Sequence, residues 1–207
     1  MGTVYAVVLA AGRGERFGGN KLLASFHGRS LFDHALDPVR AARGAGLISG
    51  ACAVIPPDQP QLAELARAGD IDPVVNPEPE SGIAGSLRRA VDWLERVPPR
   101  GGQAVAAIVF LGDQPAVPGD VVPALIAAWG GGARYVRPRY AGEPDVPGHP
   151  ALVDRTLWAV AADLVGDVGL GPALAARGVA PTMVDVPGRN PDVDTPADLT
   201  RLEGTKS

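Results

Sequence analysis

Four runs of apolar residues alternate along the chain with segments whose apolar positions recur every three or four residues. The runs are VYAVVLA from Val4, GACAVIP from Gly50, PVVN from Pro73 and AVAAIVFL from Ala104. Because apolar residues follow one another without strict alternation, these runs predict strands that are buried on both faces. Such strands are typical of a parallel sheet that is covered by helices.

The segments between these runs predict helices. The apolar spacing indicates helices over Ser30 to Arg43, Ser81 to Arg96, Val122 to Trp129 and Leu157 to Val165, with a bend at Pro38 in the first. Alternating strands and helices predict an α/β fold: a single domain over residues 1–207, with a mostly parallel, twisted, Rossmann-like sheet and helices on both of its faces.

One tract departs from this alternation. The segment RYVRPRYAGEPDVPGH, Arg134 to His149, begins as a short strand and continues as a charged loop rich in Gly and Pro. Such a loop is usually an ordinary surface excursion. If it lay over the carboxyl edge of the sheet, however, it would be placed to shape a second substrate site.

Composition and charge exclude several classes of protein. The formal charge is −4, from 19 Lys and Arg against 23 Asp and Glu, and no basic block is present, which argues against binding to a nucleic acid polymer. The longest apolar run, Ala104 to Leu111, is far shorter than the roughly 20 residues of a membrane span. Without a signal peptide pattern at the start, the sequence predicts a cytoplasmic protein with no membrane partner. Its one cysteine, Cys52, lies in an apolar run and is expected to be a core thiol.

The stretch VVLAAGRGERFGGNKLL, Val7 to Leu23, follows the first predicted strand, where ligands bind in open α/β sheets. Its glycines allow the backbone to approach a ligand closely, and Arg13, Arg16 and Lys21 supply charge for phosphate oxygens. The stretch fits neither the Walker A motif nor the full dinucleotide fingerprint. It therefore indicates a triphosphate-binding loop of another kind, with a plain glycine-rich turn as the alternative.

Two aspartates are candidates for a metal site. Asp113 ends the apolar strand in VFLGDQPAV, where a carboxylate on a rigid element suits Mg²⁺; the alternative is a cap for a helix near Pro118. Asp194 lies in NPDVDTPADL, in which Thr195 is the expected N-cap and Pro196 the first helical residue. Asp194 is then either a second Mg²⁺ ligand or part of the start of that helix.

Together these motifs resemble those of a known family. LAAGRGERFGGNK, NPEPESGIAGSLRRAV, FLGDQP, GHPALVDR and VDTPADL occur in this order over nearly the whole chain, which is similar to the MobA-like NTP transferases and most of all to molybdenum cofactor cytidylyltransferases. The resemblance implies an enzyme that moves a nucleoside monophosphate, CMP from CTP, onto a phosphorylated acceptor such as the molybdopterin cofactor. Pyrophosphate is released, Mg²⁺ is the cofactor, and a molybdoenzyme is a candidate partner.

The resemblance also assigns residues to roles. It gives the catalytic role to Lys21, Arg13 and Asp113, the metal to Asp113 and Asp194, and an acceptor contact to His149. For His149 the alternative is a turn residue whose ring bonds the backbone. The nucleotide-binding residues it implies are Leu9, Ala10, Ala11, Gly12, Arg13, Gly14, Lys21, Asn76, Gly82 and Ser86.

Departures from the family pattern keep other functions open. Leu170-Gly171 stands where an arginine-containing run is common, so only Arg137 and Arg139 remain to hold an acceptor phosphate. One alternative is an NAD(P)H-dependent oxidoreductase of the nicotine-blue-reductase type on the same fold. Another is a non-catalytic accessory protein that binds a nucleotide or cofactor for a molybdoenzyme.

Overall fold

The computed structural model describes residues 3–12, 14–96 and 103–204 of the chain. The strands are β1 Thr3–Leu9, β2 Ser25–Phe26, β3 Arg29–Ser30, β4 Gly50–Ile55, β5 Asp72–Val75, β6 Ala104–Leu111, β7 Tyr135–Tyr140, β8 Ala151–Asp154 and β9 Thr182–Val186. The α-helices are α1 Leu31–Ala35, α2 Asp37–Gly44, α3 Pro60–Ala68, α4 Gly82–Arg96, α5 Val121–Gly130, α6 Leu170–Ala175 and α7 Pro196–Glu203. Short 3₁₀ helices span Glu15–Phe17, Lys21–Leu23, Pro79–Ser81 and Arg155–Asp163.

Seven strands form one mixed sheet in the order β5-β4-β1-β6-β8-β7-β9. Neighbouring strands pair in parallel except on the two sides of β8, which runs antiparallel to both β6 and β7. The prediction of an α/β fold with a mostly parallel sheet is therefore confirmed. A separate two-stranded ladder, β2 with β3, lies outside this sheet.

The apolar strands bury side chains on both faces of the sheet. Along β1, Ala6 and Val8 belong to one core, whereas Val7 and Leu9 belong to the other. The first core is closed by side chains of α1, α2, α3 and α5, and the second by α4, α6 and the 3₁₀ helix Arg155–Asp163. Cys52 is fully buried in the second core, as expected of a core thiol, and burial raises the pKa of its thiol.

The predicted helix over Ser30 to Arg43 is in fact two helices. α1 ends at Ala35 and α2 begins at Asp37, with Pro38 in its first turn. Proline lacks the N–H that an uninterrupted helix would bond and its ring crowds the carbonyl four residues earlier, so Pro38 begins a new helix. Ser30 caps α1 by accepting a hydrogen bond from the Asp33 backbone N–H at 3.1 Å.

The second half of the chain departs further from the prediction. The segment predicted as a helix over Leu157 to Val165 is a 3₁₀ helix, Arg155–Asp163, and Val165 is 79% exposed rather than buried. The apolar pattern did not reveal β8, β9, α3 or α6. β8 has only four residues and follows directly from a loop, so it gave no long apolar run.

The direction of the strands places the candidate site. The carboxyl ends of β1, β4, β6 and β7 lie at the same edge of the sheet, where the glycine-rich loop and Asp113 follow their strands. Across the parts of the chain that the structure describes, the helices are all too short or too polar to cross a membrane.

Candidate active site

Lys21 lies between two carboxylates at the carboxyl edge of the sheet. Its Nζ donates a hydrogen bond to Asp113 Oδ2 at 2.7 Å and to Asp194 Oδ1 at 3.2 Å. The Lys21 side chain is 11% exposed, against 25% for Asp113 and 48% for Asp194. The structure thus brings together three residues that the sequence analysis assigned to catalysis and metal binding.

Glycine and backbone hydrogen bonds set the position of Asp113. β6 ends at Leu111, and the next residue, Gly112, donates its N–H to Leu9 O at 2.9 Å. A Cβ at position 112 would lie 3.1 Å from the Cβ of Ala10, so glycine allows the turn after β6 to approach the end of β1 closely. This turn directs Asp113 towards the glycine-rich loop rather than towards α5, which excludes the helix-capping alternative.

Asp194 reaches the same place from the other end of the chain. The N–H of the preceding residue, Val193, bonds Asp113 O at 3.1 Å and joins the two segments. Thr195 then caps α7, since its side chain accepts from the Asp198 backbone while the Asp198 carboxylate accepts from Thr195 N at 2.8 Å. Thr195 and Asp198 therefore cap α7, and the Asp194 carboxylate bonds Lys21 instead of capping this helix.

The two carboxylates keep Lys21 charged. Burial acts to lower the pKa of Lys21, but the charges and hydrogen bonds of Asp113 and Asp194 outweigh it, so the pKa is raised above that of an ordinary lysine. Nearby, desolvation followed by the charge of Asp113 raises the pKa of Asp192. Asp192 is exposed as a residue, but its Oδ1 accepts a hydrogen bond from Gln114 Nε2 at 2.6 Å.

A cavity of about 540 Å³ lies in front of this centre. It is lined by ten of the residues that the sequence analysis assigned to the nucleotide or the metal: Leu9, Ala10, Ala11, Gly12, Gly14, Lys21, Gly82, Ser86, Asp113 and Asp194. Its other lining residues are Arg16, Leu22, Pro79, Glu80, Ile83, Leu111 and Asp167. Arg13, assigned to both catalysis and nucleotide binding, lies outside the described residues.

Asn76 supports the cavity wall from behind. Its side chain is 1% exposed, and Nδ2 donates to Ser86 Oγ at 3.3 Å while Oδ1 accepts from Glu78 N at 3.1 Å. Asn76 is not among the residues that line the cavity with Ser86. It therefore orients Ser86 and the start of α4.

Gly82 is required by the shape of the cavity. It has φ +71°, and a Cβ there would lie 2.5 Å from the carbonyl group of Gly166 and from Asp167 Oδ1. Ala84 N bonds Gly166 O at 3.0 Å, so the 164–169 loop packs onto the first turn of α4. This contact brings Asp167 into the cavity wall, a position that sequence reasoning did not identify.

His149 lies elsewhere. It does not line the cavity, and its carbonyl accepts hydrogen bonds from Tyr140 OH at 2.6 Å and Asn190 Nδ2 at 3.0 Å. Burial, and then the charge of Arg137, lowers the pKa of its imidazole to about 4 despite a hydrogen bond to the backbone of Val109, so the ring is neutral at pH 7. The bond to Val109 is the kind that the turn-residue alternative expects, but ring Nδ1 is buried with no hydrogen-bond partner among the described residues, and the acceptor contact stays a prediction.

The two arginines considered for an acceptor phosphate differ in their surroundings. Arg137 donates from Nε to Gly148 O at 2.8 Å and lies beside His149. Arg139 pairs with Asp185 at 3.3 Å on the exposed side of β7 and β9. Neither lines the cavity.

A buried polar network links the two segments that carry the aspartates. Gln114, 7% exposed, donates to Asp192 and accepts from Asn190 Nδ2 at 2.9 Å. Gln114 follows Asp113 directly in sequence, and Asp192 lies two residues before Asp194. In the sequence, this network was indicated only by the presence of Gln114 in VFLGDQPAV and of Asp192 in NPDVDTPADL.

Similar proteins share this arrangement of the chain. The structure of Rv0371c from Mycobacterium tuberculosis H37Rv superposes with a TM-score of 0.77 at 29% sequence identity, covering 99% of this chain and 99% of that one. The same protein in complex with manganese gives a TM-score of 0.75 at 28% identity, covering 99% of this chain and 100% of that one. The 4-diphosphocytidyl-2C-methyl-D-erythritol synthase of Anaerococcus prevotii DSM 20548 shares the fold, with a TM-score of 0.74 at 16% identity over 98% and 97% of the two chains.

Sequence comparison gives the same grouping. The bifunctional protein GlmU of Paracidovorax citrulli strain AAC00-1 is 34% identical over 136 residues, or 64% of this chain. The match spans 27% of the length of that relative, so the two proteins share a domain rather than a whole architecture. The model of the MobA-like NTP transferase domain matches residues 6–182, which include the glycine-rich loop, Lys21 and Asp113. The chain therefore belongs to the MobA-like NTP transferase family of nucleotidyltransferases.

Proposed function

We propose that this protein transfers CMP from CTP to a phosphorylated small-molecule acceptor in a Mg²⁺-dependent reaction that releases pyrophosphate. The observation that carries the proposal is the position of Lys21, held between Asp113 and Asp194 at the end of the glycine-rich loop and facing the cavity. This centre has the cation and the carboxylates that transfer of a phosphoryl group requires.

The two carboxylates fit a divalent cation. The ammonium of Lys21 contacts both of them, so the two carboxylates face one position that a cation already occupies. Carboxylate oxygens suit Mg²⁺, which binds through one or two protein carboxylates and completes its coordination with water and substrate phosphates. Among the described residues, no group of three or more His, Cys, Asp or Glu is arranged to hold a metal ion. The manganese complex of Rv0371c also supports a divalent ion.

The residues of the chain divide the work of transfer. When bound, the metal supplies positive charge next to the phosphate groups. Gly12 and Gly14 let the backbone approach the triphosphate, and Lys21 neutralises charge on it. Asp113 and Asp194 hold the metal, and neither is needed as a base, because a phosphate acceptor attacks without losing a proton.

The reaction exchanges one bond for another. An oxygen of the acceptor phosphate forms a bond to the α-phosphorus of CTP, and the bond from that phosphorus to the bridging oxygen of the β-phosphate breaks. The electron pair leaves with pyrophosphate. No covalent enzyme intermediate is needed, so the rate depends on positioning and charge neutralisation.

The choice of CTP and of acceptor follows from the sequence. The LAAG form of the loop, Leu9 to Gly12, resembles that of the cytidylyl branch, and the molybdopterin cofactor is the acceptor that the same resemblance offers. Because His149, Arg137 and Arg139 lie outside the cavity lining, we assign none of them to the nucleotide.

Thermal unfolding with CTP, GTP, ATP, UTP and NADPH, each with and without Mg²⁺, tests the proposal. A ligand present at a hundred times its Kd stabilises the folded protein by about 2.7 kcal/mol, which raises the Tm measurably. We expect CTP to give the largest rise and Mg²⁺ to be required for it. Pyrophosphate release with CTP, Mg²⁺ and molybdopterin then tests the acceptor.

Two results would contradict the proposal. A rise in Tm with NADPH that needs no Mg²⁺, together with none for CTP, would assign the cavity to a redox cofactor. If CTP binds but releases no pyrophosphate in the presence of any phosphorylated acceptor, the protein would be a nucleotide-binding accessory protein.

A further inference from the structure

We propose that Lys21 fills the metal position between Asp113 and Asp194 until a nucleoside triphosphate withdraws it, so that nucleotide and metal bind cooperatively. The inference rests on the proposed function, and it goes further by assigning an order and a coupling to the binding of the two ligands. Lys21 has one set of partners before the nucleotide binds and another set afterwards.

The distances show the competition. Lys21 Nζ lies 2.7 Å from Asp113 Oδ2 and 3.2 Å from Asp194 Oδ1. Mg²⁺ binds oxygen at about 2.0–2.1 Å, so an ion held by these two oxygens would take the space between them that the ammonium now fills. The two cations would also repel each other strongly at so short a distance. Metal binding therefore requires Lys21 to move.

Burial makes this exchange costly unless Lys21 gains new partners. The Lys21 side chain is 11% exposed, so little water can reach its ammonium. If the ammonium left both carboxylates and found no new partner, it would lose two charged hydrogen bonds that water could not fully replace. A lysine side chain is positively charged at neutral pH and the two groups that hold it are carboxylates, so Lys21 must leave them as a cation. Metal alone must compete with this bound cation.

The cavity offers the new partners. Lys21, Gly12 and Gly14 line the same cavity, so phosphate oxygens placed there come within reach of a flexible four-carbon side chain. The base of that side chain is fixed. Leu22 beside it is buried, and a Cβ at Gly14, which has φ +60°, would lie 3.1 Å from Lys21 Cβ. The ammonium can therefore swing from the carboxylates to the phosphates while its backbone stays in place.

Arg16 provides a matched comparison. Its Nη1 lies 3.8 Å from Asp194 Oδ2, but its side chain is 83% exposed. An exposed pair at that distance contributes little and is screened by salt. Removal of the Arg16 charge should therefore change metal affinity far less than removal of the Lys21 charge, although both cations face the same carboxylate.

Linkage turns the competition into a measurable coupling. If a triphosphate draws Lys21 away, it raises the affinity for the metal by some factor, and the metal raises the affinity for the triphosphate by the same factor. We expect a factor of roughly ten or more, within the usual range for coupled sites.

The experiment measures Mn²⁺ binding by electron paramagnetic resonance, which counts free Mn²⁺ and needs no turnover. The samples are the unaltered protein, Lys21→Met and Arg16→Met, each with and without α,β-methylene-CTP, in which the bond to be broken cannot react. Thermal unfolding of each variant checks that it folds, and Lys21→Gln is the second variant if Lys21→Met does not.

We expect the unaltered protein to bind Mn²⁺ weakly alone and roughly tenfold more tightly with the analogue. Lys21→Met should bind Mn²⁺ alone roughly tenfold more tightly than the unaltered protein, and the analogue should improve its binding by a smaller factor, because only direct contact between phosphate and metal remains. Arg16→Met should bind Mn²⁺ alone as weakly as the unaltered protein does, and this binding without the analogue is the comparison that it serves.

Other results separate this inference from the proposed function. Suppose that Lys21→Met binds Mn²⁺ no more tightly than the unaltered protein does, while the analogue still improves Mn²⁺ binding. The proposed movement of Lys21 is then wrong, but the assignment of the metal site to Asp113 and Asp194 is not contradicted. An equal gain in Arg16→Met would attribute the effect to general charge and also overturn the exchange. If no sample binds Mn²⁺ with or without the analogue, the metal assignment itself fails.

Discussion

The side chain of Gln114 donates a hydrogen bond from Nε2 to Asp192 Oδ1 at 2.6 Å, which joins the loop after β6 to the loop before α7. Its other amide atom, Oε1, accepts from Asn190 at 2.9 Å. Asp113 and Asp194 lie on these same two loops. The distance between the two candidate metal ligands therefore depends on the buried side-chain amide of Gln114. Among the described contacts, that amide bonds neither Asp113 nor Asp194.

Replacement of Gln114 by Met should loosen this link. We expect the free energy of unfolding to fall by about 1–3 kcal/mol, because Asn190 loses a hydrogen-bond partner in a buried position. Because the two loops are then less well fixed, the concentration of Mg²⁺ needed for half-maximal pyrophosphate release should rise. Urea unfolding and a Mg²⁺ titration measure the two effects.

Gln61→Met is the control, since Gln61 is an exposed residue on α3. It should leave both values unchanged. A loss of stability in Gln114→Met with an unchanged Mg²⁺ requirement would mean that the link stabilises the fold without positioning the carboxylates.

Asp113→Asn should remove Mg²⁺-dependent transfer and leave the fold intact. Asparagine is close in size to aspartate but carries no charge to hold a divalent ion or to pair with Lys21, so we expect pyrophosphate release to fall by roughly 100-fold or more. The assay is pyrophosphate release with CTP, Mg²⁺ and the phosphorylated acceptor, with circular dichroism to check folding.

The matched control is Asp185→Asn, because the Asp185 side chain is 80% exposed on β9 and pairs with Arg139. It should retain activity. Full activity in Asp113→Asn would be incompatible with the proposed metal site.

The individual parts of this site were predictable from local sequence patterns, whereas their meeting was implied only by the family resemblance. An apolar strand that ends in Gly112-Asp113 indicates where a carboxylate lies, because the strand direction decides the edge. Lys21 and Asp113 are 92 residues apart, however, and Lys21 and Asp194 are 173 apart. Their contact depends on the order of strands in the sheet, which a local pattern does not contain.

The weaker predictions concern short or one-sided elements. β8 runs antiparallel and follows the loop at His149, so neither a long apolar run nor an αβ alternation indicated it. The spacing of Leu157, Trp158 and Ala161 was correct for a buried face but could not distinguish a 3₁₀ helix from an α-helix. Asn76 was expected among the nucleotide-binding residues, and this role stays a prediction. Its side chain bonds Ser86 and does not line the cavity, because nearness in sequence to cavity residues does not say which way a side chain points.

Gly82→Ala should cost more than the positive φ alone explains. A Cβ would meet the Gly166 carbonyl group and Asp167 at 2.5 Å, so the 164–169 loop must move away from α4. We expect the free energy of unfolding to fall by about 1–3 kcal/mol and the affinity for CTP to decrease, since the same contact shapes the cavity wall. Urea unfolding and calorimetric titration with CTP give the two numbers.

Gly178→Ala separates strain from contact. Gly178 has φ +73°, close to the +71° of Gly82, and a Cβ there has no described neighbour within 4 Å, whereas Gly82 also has ψ −163°, a combination that is almost restricted to glycine. Gly178→Ala should cost about 1 kcal/mol from the backbone conformation alone and leave CTP affinity unchanged. Equal losses at the two positions would mean that the packing of the 164–169 loop contributes nothing.

Asp154 should make the stability of the protein depend on pH. Its carboxylate ends β8 and caps the following 3₁₀ helix, accepting from Trp129 Nε1 at 2.9 Å through Oδ2 and from Thr156 N at 3.0 Å through Oδ1. Burial acts to raise the pKa of Asp154, but these hydrogen bonds outweigh it and the pKa is lowered. A carboxylate with a lowered folded-state pKa stabilises the protein fully above the unfolded value of about 3.9, and this stabilisation is lost as the pH falls through the folded-state pKa.

Asp154→Asn should therefore be less stable than the unaltered protein at pH 7, by about 1–2 kcal/mol, because its amide N–H₂ cannot accept from Trp129 while its oxygen bonds Thr156. The difference should shrink as the pH falls below about 4, where the unaltered carboxyl takes up a proton and loses the same bond. Urea unfolding followed by circular dichroism between pH 7 and pH 3 measures this difference.

The control is Asp163→Asn, at an exposed carboxylate that pairs with Arg177 at 2.7 Å. Its free energy of unfolding should differ from that of the unaltered protein by less than about 0.5 kcal/mol throughout this pH range. A difference for Asp154→Asn that stayed constant over this range would show that the charge of Asp154 does not stabilise the cap.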